Sequence, residues 1–122
     1  MELEEAIRTR RTHKVYAPEA VDRATLDELF ELARWAPNHK LTNPWRFRVL
    51  GPQSLTRLKA ACDDPIAAAK LGRAPTLIAV SATQSGDLLL DEEDVYATAA
   101  AAYTVLLAAH GRGLAGYWRT PA

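Results

Sequence analysis

Apolar residues in this chain switch between two periods. Leu26, Leu29, Phe30 and Ala33 recur at helical spacing, with Asp27, Glu28 and Glu31 on the opposite side. The pattern predicts an amphipathic helix ending before Pro37, capped by Asp22 or by Thr25 with Glu28 as a capping box. Residues 45–50 then alternate: Trp45, Phe47 and Val49 against Arg46 and Arg48, the mark of a half-buried strand. Gly51-Pro52 stops it. Residues 77–80, Leu-Ile-Ala-Val, form a continuous apolar run inside a second strand over 75–82, which predicts burial on both faces.

Shorter helices are expected over 2–10, 54–61 and 66–71. A long Ala-rich helix is expected over 91–110, beginning acidic and ending at Gly111 and Gly113. Its small side chains would let another backbone approach closely. Residues 13–21 read as extended, 38–44 and 86–90 as loops, and 114–118 as a third strand. Helices interleaved with a few strands indicate an α+β fold or a mixed α/β sandwich. Three strands leave sheet edges that a further segment or a partner subunit would cover.

The 122 residues suit a single domain, 1–122, with a modest core. Formal net charge is zero, which gives no electrostatic footprint for nucleic acid or an anionic membrane. The apolar stretch over 97–109 is too short and too rich in alanine to span a bilayer. The acidic first residues lack the apolar core of a signal peptide. Cys62, the single cysteine, has no intrachain partner for a disulfide, so a reducing cytoplasm is the expected location.

Gly111-Arg-Gly113-Leu-Ala-Gly116 matches the spacing of a dinucleotide fingerprint but follows a helix and opens a strand, the reverse of the required order. His13, His39 and His110 are far apart and lack neighbours at metal-ligand spacing. No nucleophile–base pair stands out, so neither a catalytic side chain nor a metal site is assigned.

Three segments remain. Residues 8–14, Arg-Thr-Arg-Arg-Thr-His-Lys, combine guanidinium forks with hydroxyls, a chemistry that grips phosphate. Residues 35–45, Trp-Ala-Pro-Asn-His-Lys-Leu-Thr-Asn-Pro-Trp, set polar donors between a helix and a strand. Residues 113–120 read Gly-Leu-Ala-Gly-Tyr-Trp-Arg-Thr. Each is ordinary singly: a basic helix end, a polar loop, a strand end.

As an ordered set they resemble the nitroreductase family, with its R-[RH]-S, A-P-S-x-x-N-x-Q-P-W and A-x-x-x-G-L-G-x-x-W segments. The small members carrying A-P-D-H-K and W-R-S are the most similar. The resemblance implies an α+β fold, a mixed sheet flanked by helices, with the long central helix at a homodimer interface. It also implies FMN at that interface, and ping-pong hydride transfer from NAD(P)H to a small nitroaromatic or quinone-like acceptor. Arg10, Arg11 and Thr12 would cradle the FMN phosphate and ribityl, and Lys14 would place positive charge near the ring. Trp35, His39 and Asn43 would reach the other subunit's flavin. Trp118, Arg119 and Thr120 would return to the phosphate side. Thr12 keeps the hydroxyl of the family's Ser; Asn38, Leu41 and Asn43 replace its Ser, Asn and Gln. Relatives continue for roughly 60 further residues, about half a small domain, so the resemblance implies a C-terminally shortened domain. An alternative enzyme reading keeps the fold and FMN but changes the reaction, for example to dehalogenation or oxygen-dependent flavin chemistry. A shortened dimerising module that no longer holds FMN is the alternative outside enzymology.

Overall fold

The structure, a computed structural model, describes residues 1–120. The elements run α1 (Leu3–Thr9), α2 (Arg23–Ala33), β1 (Trp45–Val49), α3 (Pro52–Ala61), α4 (Pro65–Lys70), β2 (Ile78–Ala82) and α5 (Leu88–Gly111). This is the α+β arrangement expected, with the long helix near the end of the chain.

Helix α2 starts where its side chains dictate. The Asp22 carboxylate accepts the Thr25 amide at 2.7 Å, so Asp22, not Thr25, is the cap. Ala33 is the last helical residue, four positions before Pro37. Leu26, Leu29 and Ala33 are buried. Phe30 stacks on Phe47 of β1 with ring centroids 5.0 Å apart and planes 17° from parallel, which joins helix to sheet.

β1 and β2 pair antiparallel, from Trp45 opposite Ala82 to Val49 opposite Ile78. Trp45 is buried, Phe47 half-buried, and Arg46 and Arg48 exposed, as alternation requires, but Val49, expected on the buried face, is exposed at the strand's end. β2 departs from expectation. Ile78 is half-buried, whereas Ala79 and Val80 are exposed, so the run is not covered on both faces within this chain.

Helix α5 begins three residues earlier than its acidic run, because Asp87 accepts the Leu90 amide at 3.1 Å. It packs on α2 and across the sheet. Ala97 and Ala101 meet Ala33, Ala36 and Trp45 in one core cluster. Alanines on both helices let the backbones draw close, and Trp45 fills the remaining space.

Helix α5 ends in a Schellman motif. The Gly113 amide donates to the His110 carbonyl at 3.0 Å and the Leu114 amide to the Ala109 carbonyl at 2.9 Å. Gly113 sits at φ +76°, which glycine adopts without strain. The first glycines of the apparent dinucleotide fingerprint are therefore a helix terminus. Beyond it the third strand does not form. Residues 114–118 contribute a single parallel bridge, Gly116 to Thr12, because only that short stretch finds a partner backbone. No helix among the described residues is long and apolar enough to cross a membrane.

Two carboxylates, exposed Asp22 and half-buried Asp91, make the fold sensitive to acid. The Thr25 amide holds the Asp22 carboxyl below the usual aspartate range. The Ser85 amide above all holds Asp91 below that range in the same way; desolvation opposes it, and the Ser85 hydroxyl and the Gly86 amide reinforce it. A carboxylate with a depressed folded pKa contributes stability above its unfolded value and loses it as pH falls through the folded one. Stability should therefore decline below about pH 4. Asp22→Asn, which keeps a capping oxygen but does not titrate, should flatten that decline in urea melts at stepped pH.

Candidate functional site

The parallel bridge joins two of the three singled-out segments across more than a hundred positions of sequence. Thr12 pairs with Gly116, and the His13 amide donates to the Gly116 carbonyl at 3.2 Å. A second tie lies nearby. The Thr9 hydroxyl donates to the Glu5 carbonyl at 2.6 Å and lies 2.8 Å from Nε2 of His110. With its one proton directed at Glu5, the hydroxyl is left to accept from His110 Nε2–H. The end of α1 is thereby fastened to the end of α5.

These ties gather the cationic residues of both segments at one end of α5. Arg10 closes α1 and is half-buried, while Arg11, Thr12 and Lys14 are exposed. Arg11 Nη1 donates to the Arg8 and Arg10 carbonyls, each at 2.8 Å, which folds its head back on its own turn. On the other segment Trp118 and Thr120 are exposed. The Arg119 guanidinium lies 6.0 Å from the centre of the Tyr117 ring. Among the described residues, Arg10, Arg11, Lys14 and Arg119 form no ion pair; the pairs present are Arg8–Glu4, Arg23–Asp27, Arg34–Glu31 and Arg112–Glu28. Uncompensated guanidinium and ammonium groups beside hydroxyls suit a phosphate.

The second segment is elsewhere. Thr42 donates to the buried Asp94 carboxylate at 2.7 Å, near the start of α5. Asp94 and His110 are separated by about 24 Å along the helix axis at 1.5 Å per residue. Trp35, His39 and Asn43 are all exposed at this end. Within one chain the structure brings two of the three segments together and keeps the third apart.

The loop between α2 and β1 is held under tension. Lys40, Leu41 and Asn43 lie at φ 54°, 52° and 47°. That left-handed region suits Asn but opposes Lys and Leu by about 1–2 kcal/mol each. Its fixings are identifiable. Asn38 accepts the Asn43 amide at 2.8 Å and donates to the Ala36 carbonyl at 3.2 Å. Pro44 is fully buried, and its carbonyl accepts the Thr83 amide at 2.9 Å. Leu41 and Trp35 are each 76% exposed at this loop. Asn38→Ala removes both clasps and should lower the stability read from urea unfolding by about 1–3 kcal/mol.

Arg34, Trp35, Asn38, Leu41, Trp45 and Arg46 border a groove of about 740 Å³ at this loop. Pattern reasoning assigns Arg46 only to the polar face of β1. It does not single out Asn38, Thr42 or Asp94 as the groups that hold the loop; the one available signal is polar residues crowded before a buried Pro-Trp pair. No group of three or more His, Cys, Asp or Glu residues that could hold a metal ion occurs among the described residues.

The family model described as the nitroreductase family matches residues 7–69, just over half of the chain. YfhC of Bacillus subtilis (strain 168), provisionally named an NAD(P)H nitroreductase, is 27% identical over 133 residues, covering 97% of this chain and 69% of that protein. Among solved structures, a nitroreductase-like family protein from Bacillus cereus superimposes with a TM-score of 0.86 at 26% identity, covering 98% of this chain and 70% of that one. A provisionally named nitroreductase from Desulfovibrio desulfuricans, solved in complex with FMN, gives a TM-score of 0.80 at 27% identity, covering 98% and 68%. The long helix, the small sheet and the joined terminal segments are thus those of a known fold, and the chain belongs to the nitroreductase family.

Proposed function

We propose that this protein is an FMN-dependent NAD(P)H oxidoreductase that reduces nitroaromatic or quinone-like acceptors by ping-pong hydride transfer. The observation that supports the reading is the bridge from Thr12 to Gly116, which joins the two segments that carry Arg10, Arg11, Lys14 and Arg119. Its donor set fits a flavin phosphate: guanidinium groups from Arg10, Arg11 and Arg119, and hydroxyls from Thr12 and Thr120. Lys14 would add positive charge beside the ring, and Trp118 would cover the phosphate side. FMN, when bound, supplies the hydride-accepting and hydride-donating chemistry, so no side chain need act as nucleophile or base.

A dimer completes the site. Trp35, His39 and Asn43 lie far along α5 from the cationic cluster of their own chain. In a homodimer built on α5 they would approach the flavin of the other subunit. Val95, Tyr96 and Tyr103 of α5, all exposed, offer apolar surface for such an interface. We assign the chain a single nitroreductase-like domain and a cytoplasmic location, which suits its unpaired cysteine.

The test is flavin retention. Purified protein is mixed with FMN, desalted and scanned in the visible range. Retained flavin bands in proportion to protein are expected. A colourless protein would overturn the reading in favour of a dimerising module without a cofactor.

A further inference from the structure

The groove at the strained loop carries two guanidinium groups, an exposed indole and no carboxylate among its lining residues. Arg34 is partly compensated: its Nη1 lies 3.2 Å from Glu31, and its guanidinium lies 5.9 Å from the Trp35 ring centre. Arg46 is not. Its Nη1 donates to the Asn43 carbonyl at 2.9 Å and the Trp45 carbonyl at 2.7 Å. Among the described residues, its Nε and Nη2 have no protein partner and it forms no ion pair. The guanidinium is therefore anchored at one nitrogen while the edge that grips a carboxylate by two parallel hydrogen bonds stays free. Anchoring lowers the entropy lost when a ligand is gripped. Trp35, kept in solvent beside it, offers a flat face to a ring.

We propose that this groove binds small aromatic carboxylates, with Arg46 holding the carboxylate and Trp35 stacking on the ring. The inference deepens the oxidoreductase reading, on which it rests only in calling the ligand an electron acceptor: it narrows the acceptor class to anionic aromatics. Asn38 and the Thr42–Asp94 bond then act as positioning groups, because they fix the loop whose Asn43 carbonyl anchors Arg46.

Isothermal titration of the purified protein with 4-nitrobenzoate and its neutral counterpart 4-nitrobenzamide tests this. A charge-assisted pair predicts that the carboxylate binds about tenfold tighter or more at low salt. The preference should shrink as salt rises, since the groove is open. Arg46→Gln should reduce the preference to within about twofold, Arg46→Lys should keep part of it, and Trp35→Ala should weaken both ligands alike. Equal binding of the two ligands by the unaltered protein would overturn the proposal, whether or not the variants fold. So would a preference that survives Arg46→Gln, or tighter binding of adenosine 2′-monophosphate than of 4-nitrobenzoate. The titration needs no flavin. A protein that prefers the carboxylate yet retains no FMN would sink the flavin reading and leave the groove assignment standing. One that retains FMN but shows no preference would do the reverse.

Discussion

Trp45→Ala should destabilise the protein by about 3–5 kcal/mol, the range for truncating a large buried aromatic. Trp45 is only 8% exposed and is the one large side chain in a core cluster otherwise made of alanines 33, 36, 97 and 101. Alanines cannot expand into the space an indole leaves, so little of the cavity would be recovered. The position also joins three elements: β1 starts there, α2 ends against it and α5 passes over it. Domains of this size have total stabilities of about 5–15 kcal/mol, so the substitution should consume much of the margin. Urea denaturation followed by circular dichroism reads the effect as a fall in midpoint. A loss below about 1 kcal/mol would mean that the helices close over the gap, contrary to the packing described.

Replacing Arg10 and Arg119 together with alanine should lower FMN affinity by about a hundredfold or more. Each guanidinium would contribute charge-assisted hydrogen bonds to the phosphate, worth about 1.5–3 kcal/mol apiece, and each factor of ten corresponds to about 1.4 kcal/mol. Among the described residues, neither has a carboxylate partner that its loss would strand. The fold should therefore tolerate the change, and the melting temperature without flavin should stay within a few degrees of the unaltered protein. Quenching of flavin fluorescence measures the affinity. Unchanged affinity would remove both residues from the phosphate site while leaving family membership intact.

Much of this architecture could be read from residue pattern because the elements concerned are locally determined. Helix α2 declares itself through Leu26, Leu29, Phe30 and Ala33, and β1 through the alternation of Trp45 to Val49. The end of α5 follows from Gly113, which takes the positive φ that a Schellman motif requires. Features that depend on a distant partner could not be read this way. Leu114 to Trp118 has strand-like composition, but a strand exists only where another backbone meets it, and among the described residues only the Thr12–His13 stretch does, at Gly116. Burial of β2 on both faces fails for the same reason: apolar composition states a preference, not the presence of a covering layer. Leucine and lysine carry no preference for left-handed backbone, so the bend at Lys40 and Leu41 is imposed by Asn38 and by the bond from Thr42 to Asp94. The free edge of Arg46 emerges only once that bend has aimed the Asn43 carbonyl at its Nη1.

The segments assigned to the site have the same history. Their chemistry is visible in sequence as guanidinium and hydroxyl groups, and the family resemblance supplies their roles. Their spatial grouping is not visible. Residues 8–14 and 113–120 come together through a bridge and the Thr9–His110 contact, while residues 35–43 stay at the other end of α5. That separation turns an ordinary polar loop into a candidate for contact with a second subunit.

Anaerobic reduction of the FMN-loaded protein tests the oxidoreductase claim most directly. NADH or NADPH, added without any acceptor, should bleach the visible flavin bands, and subsequent addition of a nitroaromatic or a quinone should restore them. A protein that retains FMN yet shows no bleaching with either nicotinamide would contradict the account.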